Sequence, residues 1–273
     1  MPLKIAQSLW AMEPWEDLAE TVARVAEAGF DGLAIDLGAA DAALAYEAAP
    51  LLERAGLTPL VVAFPRSVPS LRGTLRMARS FGAPFVTVIG QVIPLTVEGA
   101  IPVVRRWIEM GEEEGVALQF ETHRNCITND LVFTLPLLDA VPEMRLALDL
   151  SHYVVDRELR LPLSPFDADL FARCMARGDS LQGRVASRGQ IQLPLGFPQH
   201  AKWERLFEAW WREAFARWRA TDPPGTERWF LCELGPPDYA LTGPDGRELS
   251  DRWTEALDLR ARALRLWRGA APA

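Results

Sequence analysis

Lysine is almost missing from this chain of 273 residues: only Lys4 and Lys202 occur, and the other 27 basic residues are arginine. That bias reflects the coding genome as much as any function. Positive charge is also in deficit, with 37 Asp and Glu against 29 Lys and Arg and a formal net charge of −8. Nucleic-acid binding through counterion release needs a basic face, so the balance excludes nucleic acid as a main partner. Histidine occurs only at His123, His152 and His200, too few for a trinuclear zinc cluster. The three cysteines, Cys126, Cys174 and Cys232, are odd in number, far apart and without a CxxC pair. A disulfide framework or cysteine zinc site is therefore not expected, and a reducing cytoplasm fits. No apolar run approaches the length of a membrane span, and residues 1–10 lack the charged and apolar regions of a signal peptide. No GxGxxG or P-loop occurs. The expectation is an acidic cytoplasmic protein with no membrane partner.

What the chain does have is ordinary globular composition, 49% hydrophobic and 24% charged, enough for a sizeable core. Short β-rich runs alternate with longer amphipathic stretches. Strands are expected at 4–10, 30–37, 58–64, 85–90, 116–122, 145–150, 181–187 and 229–234. Helices are expected at 14–28, 41–55, 67–81, 96–114, 131–140, 167–177, 203–219 and 251–267. Gly29, Gly56, Gly82 and Gly115 each follow a helical stretch, the usual stop chemistry. Strict alternation of this kind over nearly the whole chain predicts one (β/α)₈ barrel, a TIM barrel, spanning residues 1–273. An open doubly wound sheet would carry a Gly-rich turn after its first strand, where this chain reads Trp10-Ala11-Met12-Glu13-Pro14. Trp203, Trp210, Trp211 and Trp218 make one broad face of a helix, suited to packing on the barrel or to a subunit interface, so a homo-oligomer is possible.

Function in such a barrel lives at the C-terminal ends of the strands. The fifth strand runs into Glu121-Thr122-His123-Arg124, the sixth into Asp149-Leu150-Ser151-His152, the seventh through Gln182-Gly183-Arg184, and the eighth into Glu233-Leu234-Gly235. Glu121, Asp149 and Glu233 interrupt runs that otherwise bury apolar residues. A carboxylate there must be paired, protonated or metal-bound. One strand-end acid is usually a helix cap, but three converging on one mouth repel, and a divalent cation resolves that repulsion. Trp10, Trp15 and Phe64 are candidates for an apolar wall opposite, with core packing as the alternative for Phe64. His152 can reach the mouth or be structural. His200 reads as a surface residue and Cys126 as a buried thiol.

The segments FETHRN (120–125), LDLSHYVV (148–155), QGRV with a downstream Gln (182–192) and ELGPPDY (233–239) resemble the xylose-isomerase-like family of sugar-phosphate isomerases and epimerases. The resemblance implies one divalent ion held by Glu, Asp, His and Glu from four strands. Glu121, Asp149 and Glu233 match the carboxylates, and Gln182 stands where the family has His. An amide oxygen in that place favours Mn²⁺ or Mg²⁺, with Zn²⁺ or Co²⁺ as alternatives. His152 and Arg188 match substrate-binding positions, and Arg184, His123, Arg124 and Trp10 are further candidates for substrate contact. The implied chemistry is proton transfer beside a carbonyl in a small polyhydroxy substrate. One of Glu121 and Glu233 removes the proton, the other returns it, and the metal stabilises the enediolate. Two alternatives stand beside this reading. One is a metal-dependent dehydratase of a keto-inositol or similar polyol. The other is a silent barrel with a binding or regulatory role, for which Gln182 is the main support.

Overall fold

The computed structural model describes residues 2–15 and 17–270. Eight parallel strands follow in order: β1 (Leu3–Ser8), β2 (Gly32–Asp36), β3 (Thr58–Ala63), β4 (Phe85–Val88), β5 (Ala117–Glu121), β6 (Leu146–Leu148), β7 (Gly178–Gly183) and β8 (Arg228–Cys232). Each pairs with the next, and β8 pairs back onto β1, with Ile5 opposite Phe230, so the sheet closes. The helices are α1 (Leu18–Glu27), α2 (Ala42–Ala55), α3 (Leu71–Ser80), α4 (Val97–Glu114), α5 (Leu131–Ala140), α6 (Leu150–Asp156), α7 (Pro165–Met175), α8 (Ala201–Thr221) and α9 (Arg252–Gly269). This is the (β/α)₈ barrel expected from the alternation. Met1, Glu16 and 271–273 of the expected span lie outside the described residues.

Two apolar layers follow from the two-residue period of a strand. One face of each strand packs outward against the helices through residues such as Leu33, Ile35, Val86, Val88, Phe120 and Phe230, in one large core. The other face points into the barrel, where Ala6, Ala34, Leu60, Phe85, Trp229 and Leu231 form a second cluster. Ser180 and Gln119 join that interior through a buried hydrogen bond between their side chains. Local chemistry sets the helix ends. Asp17, Asp41, Thr96, Asp130 and Asp251 accept hydrogen bonds from backbone N–H groups in the first turns of α1, α2, α4, α5 and α9. Gly56 and Gly115 end α2 and α4 with φ of 69° and 68°, a left-handed conformation that costs a Cβ-bearing residue.

Several boundaries shift, the third helix among them, which begins at Leu71. The first helix begins at Leu18, because Asp17 caps it; of the expected span 14–28, Glu16 lies outside the described residues. The seventh strand runs Gly178–Gly183 rather than 181–187: Gly178-Asp179-Ser180 has no apolar pattern to betray its start, and the apolar Val185 and Ala186 lie beyond its end. A Cβ at Gly178 would lie 2.2 Å from Leu148 Cδ1, so the strand needs glycine to pass β6. The sixth strand stops at Leu148, and the apolar run beyond it is the short helix α6, which Asp149 caps by accepting from Ser151 N at 3.0 Å.

The four Trp of the long eighth helix are all buried within the chain itself, and Trp211 and Phe215 lean on Phe230 of β8. Packing against the barrel thus accounts for the face that the sequence left open to a subunit interface.

Candidate active site

The inward-facing alternation continues past the strand ends and lines a cavity of about 680 Å³ at the C-terminal mouth. On one side stand Glu121 at the end of β5, His123 two residues past it, Arg184 just past β7, and Glu233 just past β8. On the other stand Trp10, Asp36, Phe64 and Ile89, at or past the ends of β1 to β4. Residues two apart on one strand share a face, which is why the polar set falls at 119, 121 and 123, or at 180, 182 and 184.

Glu121, Asp149 and Glu233 meet here, with one oxygen of each within 4.8 Å of the others. All three are buried. Asp149 is held firmly: its Oδ1 accepts from the Ser151 backbone and hydroxyl, and its Oδ2 accepts from the Arg184 guanidinium. Arg184 also donates to Ser151 Oγ at 3.0 Å and lies 3.1 Å from His152 Nε2. Its face stacks on Tyr239, 5.0 Å from the ring centre. Glu121 Oε2 accepts from Gln182 Nε2 at 2.7 Å. Among the groups lining the cavity, Glu121 Oε1, Glu233 Oε2 and Arg184 Nη1 are buried without partners, as is His152 Nδ1 beside them. Two acceptors and one donor at a cavity wall are open to a ligand, because a buried polar atom left unpaired is costly.

The histidines form a second constellation. His123 and His152 stack with ring centres 3.9 Å apart, and with Glu121 they place one ligand atom each within 4.8 Å of one another. Burial holds His123 down to about pKa 4, and burial, then the neighbouring His123 and Arg184, push His152 well below its usual value. Both imidazoles are therefore neutral at pH 7. Burial raises the Glu121 carboxyl well above the ordinary range, with the charges of Glu233 and Asp149 adding to it. Burial likewise pushes Glu233 up to about 8, against the pull of Arg184. Burial alone would lower the Arg184 guanidinium, but Asp149 and Glu233 more than reverse this and keep it charged.

Most residues expected from the sequence are brought together: Glu121, Asp149, Glu233, His123, His152, Arg184 and Trp10. Trp10 stands edge-on to Tyr239 at 5.0 Å, and Gly235 leaves it space, since a Cβ there would lie 2.4 Å from the Trp10 ring. Arg124 reaches the rim, 5.8 Å from the Tyr239 ring centre. Gln182 lies beneath the mouth with Ser180, Trp229 and Leu231, and turns its amide nitrogen, which cannot ligate a cation, toward Glu121. Its Oε1 is buried without a partner. Arg188 is the clear departure. It does not line the cavity but sits half in solvent, paired with the exposed Glu158 at 2.8 Å, because the chain has left the barrel by that point. Arg184, still on the inward face, occupies the mouth.

Phe64 lines the cavity, whereas Trp15 borders a shallower pocket beside Arg252. His200 is half-buried and bonds the Pro194 carbonyl at 2.9 Å. Cys126 is buried, its thiol pushed up to about 11 by burial, which makes it inert. Sequence reasoning missed Asp36, Glu13, Arg66, Gln91 and Tyr239, all of which line the cavity. Asp36 was legible in principle, as the inward residue two past Ala34. Tyr239 and Glu13 come from loops, where no period operates.

An acid-rich mouth on a (β/α)₈ barrel defines the class. No protein-family model matches the chain, and no curated protein matches it in sequence. Solved structures do match in shape. A xylose isomerase-like TIM barrel protein from Mycobacterium smegmatis in complex with magnesium is 17% identical, with TM-score 0.64 over 98% of both chains. A D-allulose 3-epimerase from Methylomonas sp. in complex with D-allulose is 16% identical, with TM-score 0.62 over 98% of this chain and 97% of that one. A probable 3-DHS dehydratase from Bacillus anthracis is 16% identical, with TM-score 0.57 over 96% and 98%. The chain thus has the xylose isomerase-like TIM-barrel fold, and at these identities the likeness is one of fold.

Proposed function

We propose that the protein is a divalent-metal-dependent isomerase or epimerase that moves a proton beside the carbonyl of a small sugar or hydroxy-carbonyl compound. The observation that carries this is the pair of buried glutamates from neighbouring parts of one mouth, each with an unpartnered oxygen beside Asp149. These orphaned oxygens, with the Gln182 Oε1 left over, fit a hard, oxygen-preferring ion such as Mn²⁺ or Mg²⁺ better than Zn²⁺ or Co²⁺. Glu121, Asp149 and Glu233 would hold it, with Gln182 fixing Glu121 from below. When bound, a divalent ion neutralises negative charge developing on substrate oxygens.

The protein's own groups supply the proton chemistry. Without the ion, burial raises the proton affinity of both glutamates; with it bound, one would act as base and the other as acid. The base takes the carbon-bound proton and the acid returns one. Arg184 Nη1, buried and free, donates to the substrate oxygen on which charge accumulates. His123 and His152 offer neutral imidazoles beside it. Trp10, Phe64 and Tyr239 form the apolar parts of the wall, which limit water at the reacting carbon.

The test is NMR of a panel of ketoses and hydroxy-ketones with Mg²⁺-loaded protein in D₂O. Solvent deuterium at the carbon beside the carbonyl is expected, with the skeleton otherwise intact. Glu121→Gln and Glu233→Gln should each slow incorporation by about 100-fold or more. Full incorporation by either variant removes the acid–base assignment. Incorporation with loss of a hydroxyl makes the protein a lyase using the same first step. No incorporation together with no calorimetric Mn²⁺ binding leaves the silent barrel.

A further inference from the structure

A further arginine lines the cavity past the end of β3. β3 and β4 are neighbours, and their pairing continues past the strand ends: Ile89 N donates to Ala63 O at 2.8 Å and Gln91 N to Pro65 O at 2.9 Å. This sets Arg66 and Gln91, each the third residue beyond its strand, side by side on the rim. The platform beneath them is packed tightly. A Cβ at Gly90 would lie 2.6 Å from the Trp107 ring, and Ile127 N binds Gly90 O at 2.8 Å.

Arg66 Nε donates to Gln91 Oε1 at 3.1 Å, which orients the guanidinium plane. Its two terminal nitrogens have no acceptor and no ion pair among the described residues. Arg184, the other guanidinium lining the cavity, is tied to Asp149 through Nη2 and keeps only Nη1 free. Arg66 thus presents a planar fork with both terminal nitrogens free, the geometry that matches two oxygens of one carboxylate or phosphate.

We propose that Arg66, held by Gln91, is the anion-recognising group of the cavity, so that the substrate carries a phosphate monoester or a carboxylate that reaches the β3–β4 rim. This deepens the proposed function and rests on the cavity being the substrate site.

Calorimetric titration at low ionic strength, with inorganic phosphate in one arm and glycolate in the other, tests it. The proteins are wild type, Arg66→Gln, Arg66→Lys and a control, Arg173→Gln, whose guanidinium pairs with Asp139 on the helical exterior. At least one anion should bind the wild type, Arg66→Gln should weaken it about ten-fold or more, and Arg66→Lys should fall between. Arg173→Gln should match the wild type. Phosphate binding alone points to a phosphate monoester, and glycolate binding alone to a carboxylate. Equal binding by folded Arg66→Gln and wild type, or no binding of either anion by wild type, overturns the proposal. The titration needs no turnover, so its failure would leave the deuterium test of the glutamates standing.

Discussion

Glu255 shows how burial, rather than a partner, sets the behaviour of a single residue. It lies on α9, 6% exposed, and accepts from Leu195 N at 2.6 Å. Burial raises its carboxyl from 4.5 to about 6, against the hydrogen bonds from Leu195 and Ser250. Between those values the folded chain keeps a proton that the unfolded chain has released. Its contribution to stability is therefore greatest below pH 4.5, falls as pH rises through about 6, and stays lost above. A shift of this size is worth roughly 2 kcal/mol. Glu255→Gln keeps the acceptor and removes the charge. Urea unfolding should show it about 1–2 kcal/mol more stable than wild type at pH 8, with the difference vanishing near pH 4.5. A constant difference across that range would show that the carboxyl is not shifted. The mouth glutamates obey the same rule more strongly, because like charges add to burial.

At the scale of elements, α8 separates packing from hydrogen bonding. Trp211 and Trp218 are both fully buried on its inner face. Trp218 Nε1 donates to Gly178 O at 2.9 Å at the start of β7, whereas Trp211 Nε1 has no partner. Replacement by Phe removes similar volume at each, but only Trp218→Phe strands a buried carbonyl. It should cost about 1–3 kcal/mol more than Trp211→Phe, read from urea midpoints at equal slope. Equal costs would mean that the bond contributes nothing net. The helices and strands themselves were largely readable, because apolar period, capping Asp or Thr and terminal Gly agree at most boundaries. β7 and β6 were not. At β7 the outward and inward residues include Gly, Asp and Ser, chosen for passing Leu148 and for pairing with Arg145 and Arg228. At β6 the apolar Leu150 follows directly on Asp149, so a linear reading carries the strand into what is the first turn of α6.

Across the whole molecule, the proposed ion would tie together β5, β6 and β8, strands that close one side of the barrel. Mn²⁺ at a hundred times its dissociation constant should then raise the unfolding free energy by about 2.7 kcal/mol. Thermal unfolding with Mn²⁺ and with excess chelator measures this. Glu121→Gln and Asp149→Asn should abolish the response, and Glu158→Gln, on the exposed rim, should retain it. A response that survives both site variants would place the ion elsewhere. Arg252 adds a second tie near the mouth. Its guanidinium bonds the carbonyls of Ala11 and Glu13 and pairs with Glu248, joining the loop that carries Trp10 to the excursion that carries Tyr239.

The amino-acid sequence alone determined the barrel, its order of elements and the convergence of Glu121, Asp149 and Glu233, because strand period and strand order are local properties written in apolar spacing. Tertiary structure decided which arginine faces the mouth. Arg184 and Arg188 are both plausible in a linear reading, but only Arg184 precedes the point where the chain turns out of the barrel. It also decided that Gln182 supports Glu121 from below. Asp36, Arg66, Gln91 and Tyr239 joined the cavity for the same reason: they meet through closure of the sheet and folding of loops, and separation along the chain carries no record of either.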